Sequence, residues 1–322
     1  MSVLRPVDIP KPTTAADDPR IANLVGHGCT AETADVVLVG FPSDLGVRIN
    51  GGRPGAAAGP RAIREHLYRM TPDARNVEEF TGVLERTVDL GDVEVAQNEK
   101  ATGGLEADQH RLAGVLEPYL RRGAVAIVLG GGHETAFGHF LGYAMSERPI
   151  EILNWDAHPD VRVLKDGVGH SGSPFRQALE HPSGICRRYS VVGLSAHQVA
   201  AAHVSFVREH GGLAVWNDEV SESTIREIYT ASTSPMMVSF DLDAVDQSAA
   251  PGVSAPSAHG LPVSLWLTAA YEAGKSRRVQ SIDVVELNPA HDVDGRTARL
   301  AALTVWSFLR GRADGPSEQR IN

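Results

Sequence analysis

Cysteine is nearly absent from the 322 residues: Cys29 and Cys186 are the only two, too few and too isolated for a disulfide scaffold or a cysteine-rich zinc site. A single bridge stays open on sequence alone, but a reducing, cytoplasmic setting is the simpler expectation. Long hydrophobic runs are missing too. No stretch reaches the roughly 20 apolar residues of a membrane span, and the first twenty residues hold no apolar core of signal-peptide length. The pattern predicts a soluble protein without membrane association. Basic clusters are equally scarce, with 30 Lys and Arg against 40 Asp and Glu and a net charge of −10. No Lys/Arg tract offers a surface to nucleic acid. Nucleotide-binding turns are absent as well: the first apolar strand runs into Phe-Pro-Ser-Asp-Leu-Gly at 41–46 and not into Gly-x-Gly-x-x-Gly, and Gly130-Gly131-Gly132 lacks the Lys-Ser/Thr ending of a P-loop.

What the chain does have is regular alternation. Apolar runs predict strands near 36–40, 86–90, 124–129, 151–155, 189–193, 213–216, 236–240 and 279–285. Helical patterns fall between them at roughly 61–70, 106–121, 135–146, 197–210, 221–231, 263–275 and 295–309. Strand and helix in turn imply an α/β fold with a mainly parallel sheet and helices on both faces. Residues 1–35 read as an N-terminal arm, with four prolines in the first twenty, and 311–322 as a polar tail. With no repeat and no linker between them, residues 36–310 are expected to form one catalytic domain.

Three short patches carry the chemistry: Gly-Gly-Gly-His-Glu at 130–134, Asp-Ala-His-Pro-Asp at 156–160 and Asp-Leu-Asp-Ala-Val-Asp at 241–246. Each follows an apolar strand, so in a parallel sheet all three open at one rim. They supply His133, Asp156, His158, Asp160, Asp241 and Asp243, two imidazoles and four carboxylates. Alone, Asp-x-Asp is common in turns and Asp-Ala-His makes an ordinary polar loop. Three such sets after three strands point instead to a pair of divalent cations. Carboxylates favour hard ions, and the two histidines shift the balance toward Mn, Fe, Co or Zn. Two ions roughly 3.5–4 Å apart lower the pKa of a shared water, which points to hydrolysis. The three glycines at 130–132 are expected to let the backbone turn tightly beside the metal.

With Ser-Phe-Asp-Leu-Asp-Ala-Val-Asp and Val-Val-Glu-Leu-Asn-Pro added, these motifs resemble the ordered signatures of the ureohydrolase superfamily over about residues 36–309. The resemblance implies an arginase-like three-layer α/β/α sandwich and two Mn2+ per chain. His133, Asp156, Asp160 and Asp241 would hold one ion, and Asp156, His158, Asp241 and Asp243 the other, with Asp156 and Asp241 bridging. It also places Glu286 against the planar cation of an amidine or guanidine, and makes His170 a proton shuttle to the leaving amine. Superfamily members assemble as trimers or hexamers, so a homo-oligomer is expected.

Arg162, two residues after Asp160, stands where arginases carry Asn. Its planar fork suits a carboxylate on the substrate tail. Arg176 in His-Ser-Gly-Ser-Pro-Phe-Arg is a second candidate for that role, with Arg48 and Arg53 further behind. Gly-Gly-Gly-His-Glu in place of Gly-Gly-Asp-His-Ser, the stretches 170–177 and 250–256, and Asp246-Gln247 in place of Asp-Pro look more like the formimidoylglutamase branch. The implied substrate is a small amidine with carboxylates, N-formimidoyl-L-glutamate, cleaved to L-glutamate and formamide in histidine degradation. A guanidino-acid hydrolase, an agmatinase, an arginase or a non-catalytic binding protein of the same fold remain as alternatives.

Overall fold

The structure is a computed structural model that describes residues 3–15, 17–96 and 104–315. Its strands are β1 Leu4–Arg5, β2 Val36–Phe41, β3 Thr87–Val93, β4 Val125–Gly130, β5 Ile150–Trp155, β6 Cys186–Leu194, β7 Ala214–Trp216, β8 Met236–Asp241 and β9 Val279–Val285. They form one sheet in the order β1-β3-β2-β4-β9-β8-β5-β6-β7, with β1 antiparallel to β3 and every other pair parallel.

Alternation along each strand sorts side chains between two apolar layers. On β4, Val125, Ile127 and Leu129 enter the layer that holds Ile63, Trp266 and Phe308, whereas Ala126 and Val128 enter the one that holds Leu112 and Phe140. The helices divide accordingly. After the short α1 Ile21–Leu24 and α2 Leu45–Asn50, the first layer is covered by α3 Gly59–Leu67 and α4 Val77–Glu85. The second is covered by α5 Gly104–Arg121, α6 Thr135–Met145, α7 Pro174–Leu179 and α8 Ala201–Glu209. The chain then returns to the first with α9 Glu222–Ala231, α10 Val263–Lys275 and α11 Arg296–Asp314. The result is the expected three-layer α/β/α sandwich around a mainly parallel sheet.

All eight expected strands are present, and the differences lie at the margins. The proline-rich arm adds β1, whose Leu4 and Arg5 pair with Val93 and Asp92 along the edge of β3. At the other end α11 runs five residues beyond the expected stop at Leu309, to Asp314, where Tyr271 and Asn76 hold the Asp314 carboxylate. Helices α4 and α7 and the short α1 and α2 were not expected from the pattern.

One polar contact ties α3 to the sheet. Arg64, its side chain fully buried, donates Nε and Nη2 to the two carboxylate oxygens of Asp89 at 2.8 and 2.9 Å, and Nη1 to Asp92 at 2.6 Å. Nη2 also donates to the Gly91 carbonyl at 3.0 Å, and Tyr68 adds its hydroxyl to Asp89. Removing the cation strands two nearly buried carboxylates. Arg64→Met is therefore expected to cost about 3–5 kcal/mol in urea unfolding. The double variant Arg64→Met/Asp89→Asn should recover part of that loss; equal stability of Arg64→Met and the parent would show the cluster to be dispensable.

Candidate metal centre

Four neighbouring parallel strands, β4, β9, β8 and β5, end on one rim, and each delivers chemistry just past its last residue. The loop after β4 carries His133. Asp156 follows directly on Trp155 of β5, with His158 and Asp160 beyond it. Asp241 closes β8, Asp243 lies in the turn after it, and Glu286 follows the last residue of β9. The same local device curls two of these segments. The Asp156 Oδ1 accepts from the His158 N–H at 2.7 Å, and the Asp241 Oδ1 accepts from the Asp243 N–H at 2.8 Å. Each aspartate thereby bends the chain two residues on and turns both members of its pair toward one side.

The six residues expected to bind metal form two adjoining groups, His133/Asp156/Asp160/Asp241 and Asp156/His158/Asp243, with ligand atoms within 4.8 Å of one another in each. Around His133 Nδ1 stand Asp241 Oδ2 at 2.8 Å, Asp160 Oδ2 at 3.0 Å and Asp156 Oδ2 at 3.3 Å. None of these oxygens is placed to take a hydrogen bond from that nitrogen, which has no partner. Four ligand atoms converging on one point without bonding to each other are arranged as a coordination shell. Around His158 Nδ1 lie Asp243 Oδ2 at 3.0 Å and Asp156 Oδ1 at 3.4 Å. Asp156 thus turns one oxygen to each group, as a bridging carboxylate would. Asp241 joins only the first group; its Oδ1 is held by the Asp243 N–H.

Electrostatics make the same demand. Burial, together with the Asp243 and Asp156 charges, pushes the Asp241 carboxyl well above the usual carboxylate range. Burial likewise lifts Asp243 to about 7, against the pull of His158. Burial disfavours a charge on His158, but Asp243 and Asp156 outweigh it and raise its pKa to about 12. Asp156, despite its own burial, is held well below the ordinary value by His133 and His158. Protonated imidazoles here stand in for positive charge that the carboxylates require. A donor set of two imidazoles and four carboxylates fits divalent ions of the Mn class.

Beside this cluster, Glu286 sits in the left-handed region at φ 66°, as does Asp160 at φ 43°. The Glu286 carboxylate accepts from the His133 N–H at 2.9 Å and from the Ser254 hydroxyl at 2.5 Å, which fixes its plane. Glu134, passed over in the sequence motif, is buried here; burial and the Glu286 charge raise its pKa to about 8. Its Oε1 accepts from the Gly46 N–H at 2.8 Å and its Oε2 has no partner. The chain turns sharply here as expected, the Thr135 N–H donating to the Gly132 carbonyl at 3.1 Å, yet none of the three glycines has positive φ, and what requires them is close packing. A Cβ on Gly131 would strike the Ser43 carbonyl, and one on Gly132 would strike Glu134 and Val47.

His170 is buried, its Nδ1 accepting from the Gly172 N–H and its Nε2 facing the Val163 carbonyl, both at 3.1 Å. Burial lowers its pKa below the usual 6.5, so the ring is neutral with its proton on Nε2. It lines a cleft of about 370 Å³ together with Asn50, Arg162, Lys165, Arg176 and His203. Arg162 is exposed at its rim, 3.4 Å from the Asn50 side-chain oxygen. Arg176 lies deeper: it donates to the Val161 carbonyl at 2.8 Å and to Glu180 at 2.7 Å, with its guanidinium 3.9 Å above the Phe206 ring. Arg53 and Arg48 stand outside the cleft, Arg53 donating to the carbonyls of Val253 and Ser254 and Arg48 pairing with Asp44.

The arginase family model matches residues 34–310. The chain is 38% identical over 295 residues to the formimidoylglutamase of Rhodococcus jostii, covering 88% of this chain and 87% of that one. The crystal structure of Trypanosoma cruzi formiminoglutamase with Mn2+2 superposes with a TM-score of 0.83 at 33% identity, covering 93% of this chain and 100% of that one. Proclavaminate amidino hydrolase of Streptomyces clavuligerus gives a TM-score of 0.76 at 25% identity, over 95% of this chain and 99% of that one.

The geometry separates the ligands by how many ions each serves. Elemental analysis of manganese-loaded protein should give close to two ions per chain. Asp156→Ala should lose both, because its oxygens face both groups, and His133→Asn should lose one. A stoichiometry near one that Asp156→Ala leaves unchanged would contradict the binuclear arrangement.

Proposed function

Since the chain belongs to the arginase family, we propose that it hydrolyses N-formimidoyl-L-glutamate to L-glutamate and formamide, a step of histidine degradation. The observation that carries the choice of substrate is the cationic cleft beside the carboxylate cluster. Arg162 and Lys165 present positive charge at its mouth, and Lys165 is anchored to the Ile49 carbonyl at 2.9 Å. A tail with two carboxylates meets complementary charge there, whereas the cationic or zwitterionic tails of agmatine and arginine do not.

Two manganese ions, one held by His133, Asp156, Asp160 and Asp241 and the other by Asp156, His158 and Asp243, would supply the acidified water and the charge stabilisation that amidine hydrolysis needs, and Asp241 would complete the second set by turning its Oδ1 from the Asp243 N–H. The chain's own groups do the rest. Glu286, held in one plane by the His133 N–H and Ser254, offers paired acceptor oxygens to the planar N–H donors of the amidine. His170, neutral at rest, would shuttle a proton: its Nδ1, which accepts from the Gly172 N–H, would take up the proton released as water adds to the amidine, and the resulting imidazolium would give it to the departing glutamate nitrogen. Arg162 holds the tail carboxylate and so fixes the distance between the amidine carbon and the metal ligands. Arg176, braced by Glu180 and Phe206, lends a second fixed charge to the cleft wall.

The same proposal takes the enzyme to be cytoplasmic and homo-oligomeric, a trimer or a hexamer. Two free cysteines support a reducing compartment, and no helix among the described residues is long and apolar enough to cross a membrane.

Manganese-loaded protein offered formimidoylglutamate, arginine, agmatine and guanidinobutyrate should release formamide and glutamate from the first and little urea from the others. Urea as the main product would move the chain to the guanidine hydrolases, and no product from any substrate at full metal loading would make it a binding protein. Arg162→Met should weaken use of formimidoylglutamate by about ten- to a hundredfold, the worth of one charge-assisted bond of about 1.5–3 kcal/mol, mainly in KM. A carboxylate-free amidine should be unaffected; equal losses on both substrates would make Arg162 a structural residue. His170→Asn should lower kcat without loss of metal.

A further inference from the structure

Beneath the metal ligands runs a polar chain with no access to solvent. His133 Nε2 lies 3.0 Å from the Ser239 hydroxyl, which donates to Asp283 Oδ1. On the other side Asp283 Oδ2 faces His139 Nδ1 at 2.8 Å, His139 Nε2 faces the Ser281 hydroxyl at 2.6 Å, and Ser281 meets the Tyr143 hydroxyl at 2.6 Å. All six side chains are at most 1% exposed. Behind His133, which stands in the loop after β4, the fold builds this line from three elements. Ser239 of β8 and Asp283 of β9 are direct cross-strand partners, Ser281 lies two residues before Asp283 on the same face, and His139 and Tyr143 stand one turn apart on α6.

Only one assignment of protons satisfies every group. A metal on His133 Nδ1 requires the ring proton on Nε2, where it is donated to Ser239. Ser239 then has its own proton for Asp283. From the far end Tyr143 donates to Ser281, Ser281 to His139 Nε2, and His139 Nδ1–H to Asp283. Every donor points toward one carboxylate, and Asp283 is the only member without a proton to give.

We infer that Asp283, through Ser239, is a positioning residue that keeps the metal-facing nitrogen of His133 unprotonated, and that His139 holds Asp283 in that orientation. The inference rests on the proposal that His133 is a metal ligand. Hydrogen-bond partners of this kind behind a ligating histidine are worth about ten- to a hundredfold in metal affinity. An asparagine at 283 must turn its NH2 toward Ser239 or toward His139. In the first case Ser239 is driven to donate to His133 Nε2, which forces the ring proton onto Nδ1 and displaces the ion. In the second the proton of His139 moves to Nε2 and the bonds to Ser281 and Tyr143 reverse.

Calorimetric titration with Mn2+ tests it on the purified protein, without reference to turnover. Asp283→Asn and Ser239→Ala should each weaken one of the two sites by about ten- to a hundredfold and leave the other within about twofold. The double variant should lose no more than either single one, because the two residues act in series. His139→Asn, which keeps a donor at the Nδ1 position, should bind better than His139→Leu. Thr304→Val, which breaks the buried Trp266–Thr304 bond in the apolar layer on the opposite face of the sheet from α6, controls for general destabilisation and should bind both ions normally. Wild-type affinities in Asp283→Asn, additive losses in the double variant, or equal weakening of both sites would overturn the inference. If His133→Asn also kept both ions, the ligand assignment itself would fall; if His133→Asn lost one while Asp283→Asn lost none, the positioning role alone would.

Discussion

Four carboxylates held within a few ångströms of one another, three of them buried and Asp160 mostly so, repel one another at a cost no ordinary core could bear. The centre of this molecule is built on that constraint. Two imidazoles offset part of the repulsion, and divalent cations complete the balance. Everything around the cluster acts to keep its members from relaxing apart. Asn154 donates to Asp156 Oδ2 at 2.9 Å, Tyr189 ties the Pro159 carbonyl at 2.7 Å, and the Gly131 carbonyl takes the Glu286 N–H at 2.8 Å. Asp160 and Glu286 are held in left-handed backbone conformations that cost each of them about 1–3 kcal/mol. A rigid parallel sheet is a frame able to carry such strain, because its strands are buried on both faces and have no freedom to slide.

That frame also explains which side chains meet. The ligands come from segments more than a hundred residues apart, yet their strands stand side by side as β4, β9, β8 and β5. A parallel sheet aligns strand ends by register, so four local sequence signals add up to one site without any long-range instruction beyond strand order. The cross-strand pairing of Ser239 with Asp283 is a by-product of that same register, and it lets the sheet's interior reach up to His133.

This is why so much of the site was legible in the sequence and the rest was not. His133, Asp156, His158, Asp160, Asp241, Asp243 and Glu286 each follow an apolar run, and a strand buried on both faces announces itself by composition alone. Ser239 and Ser281 lie inside those runs, where a serine reads as a small filler, and Asp283 reads as an interruption. Their meaning depends on β8 and β9 being neighbours and on α6 folding back over them, which no spacing reveals. The arm's pairing with β3 was hidden for the same reason, since it needs an edge nearly ninety residues away. Helix α7 is only six residues long, too short for a helical period to show, and its one local sign is Pro174 at the first helical position, a start signal inside the same stretch that carries the family motif.

Glu134 shows how packing and recognition are joined at the same spot. Its carboxylate reaches across to the Gly46 N–H at the start of α2, and the glycines at 46 and 132 leave the room it occupies. From there the loop continues under further restraint: Asp44 takes the Gly55 N–H at 2.6 Å, Asn50 donates to Ser171 at 3.1 Å, and Asn288 donates to the carbonyls of Arg53 and Pro54 at 3.0 and 3.1 Å. Asn50 and the Ile49 carbonyl are in turn what Arg162 and Lys165 rest on. The charges that would select the substrate's tail are therefore set in place from beside His133, the residue after the triple glycine. Glu134 does not line that cleft; it acts through α2, whose start it holds at the Gly46 N–H and whose end carries Ile49 and Asn50, so one helix links the metal-site loop to the residues on which Arg162 and Lys165 rest.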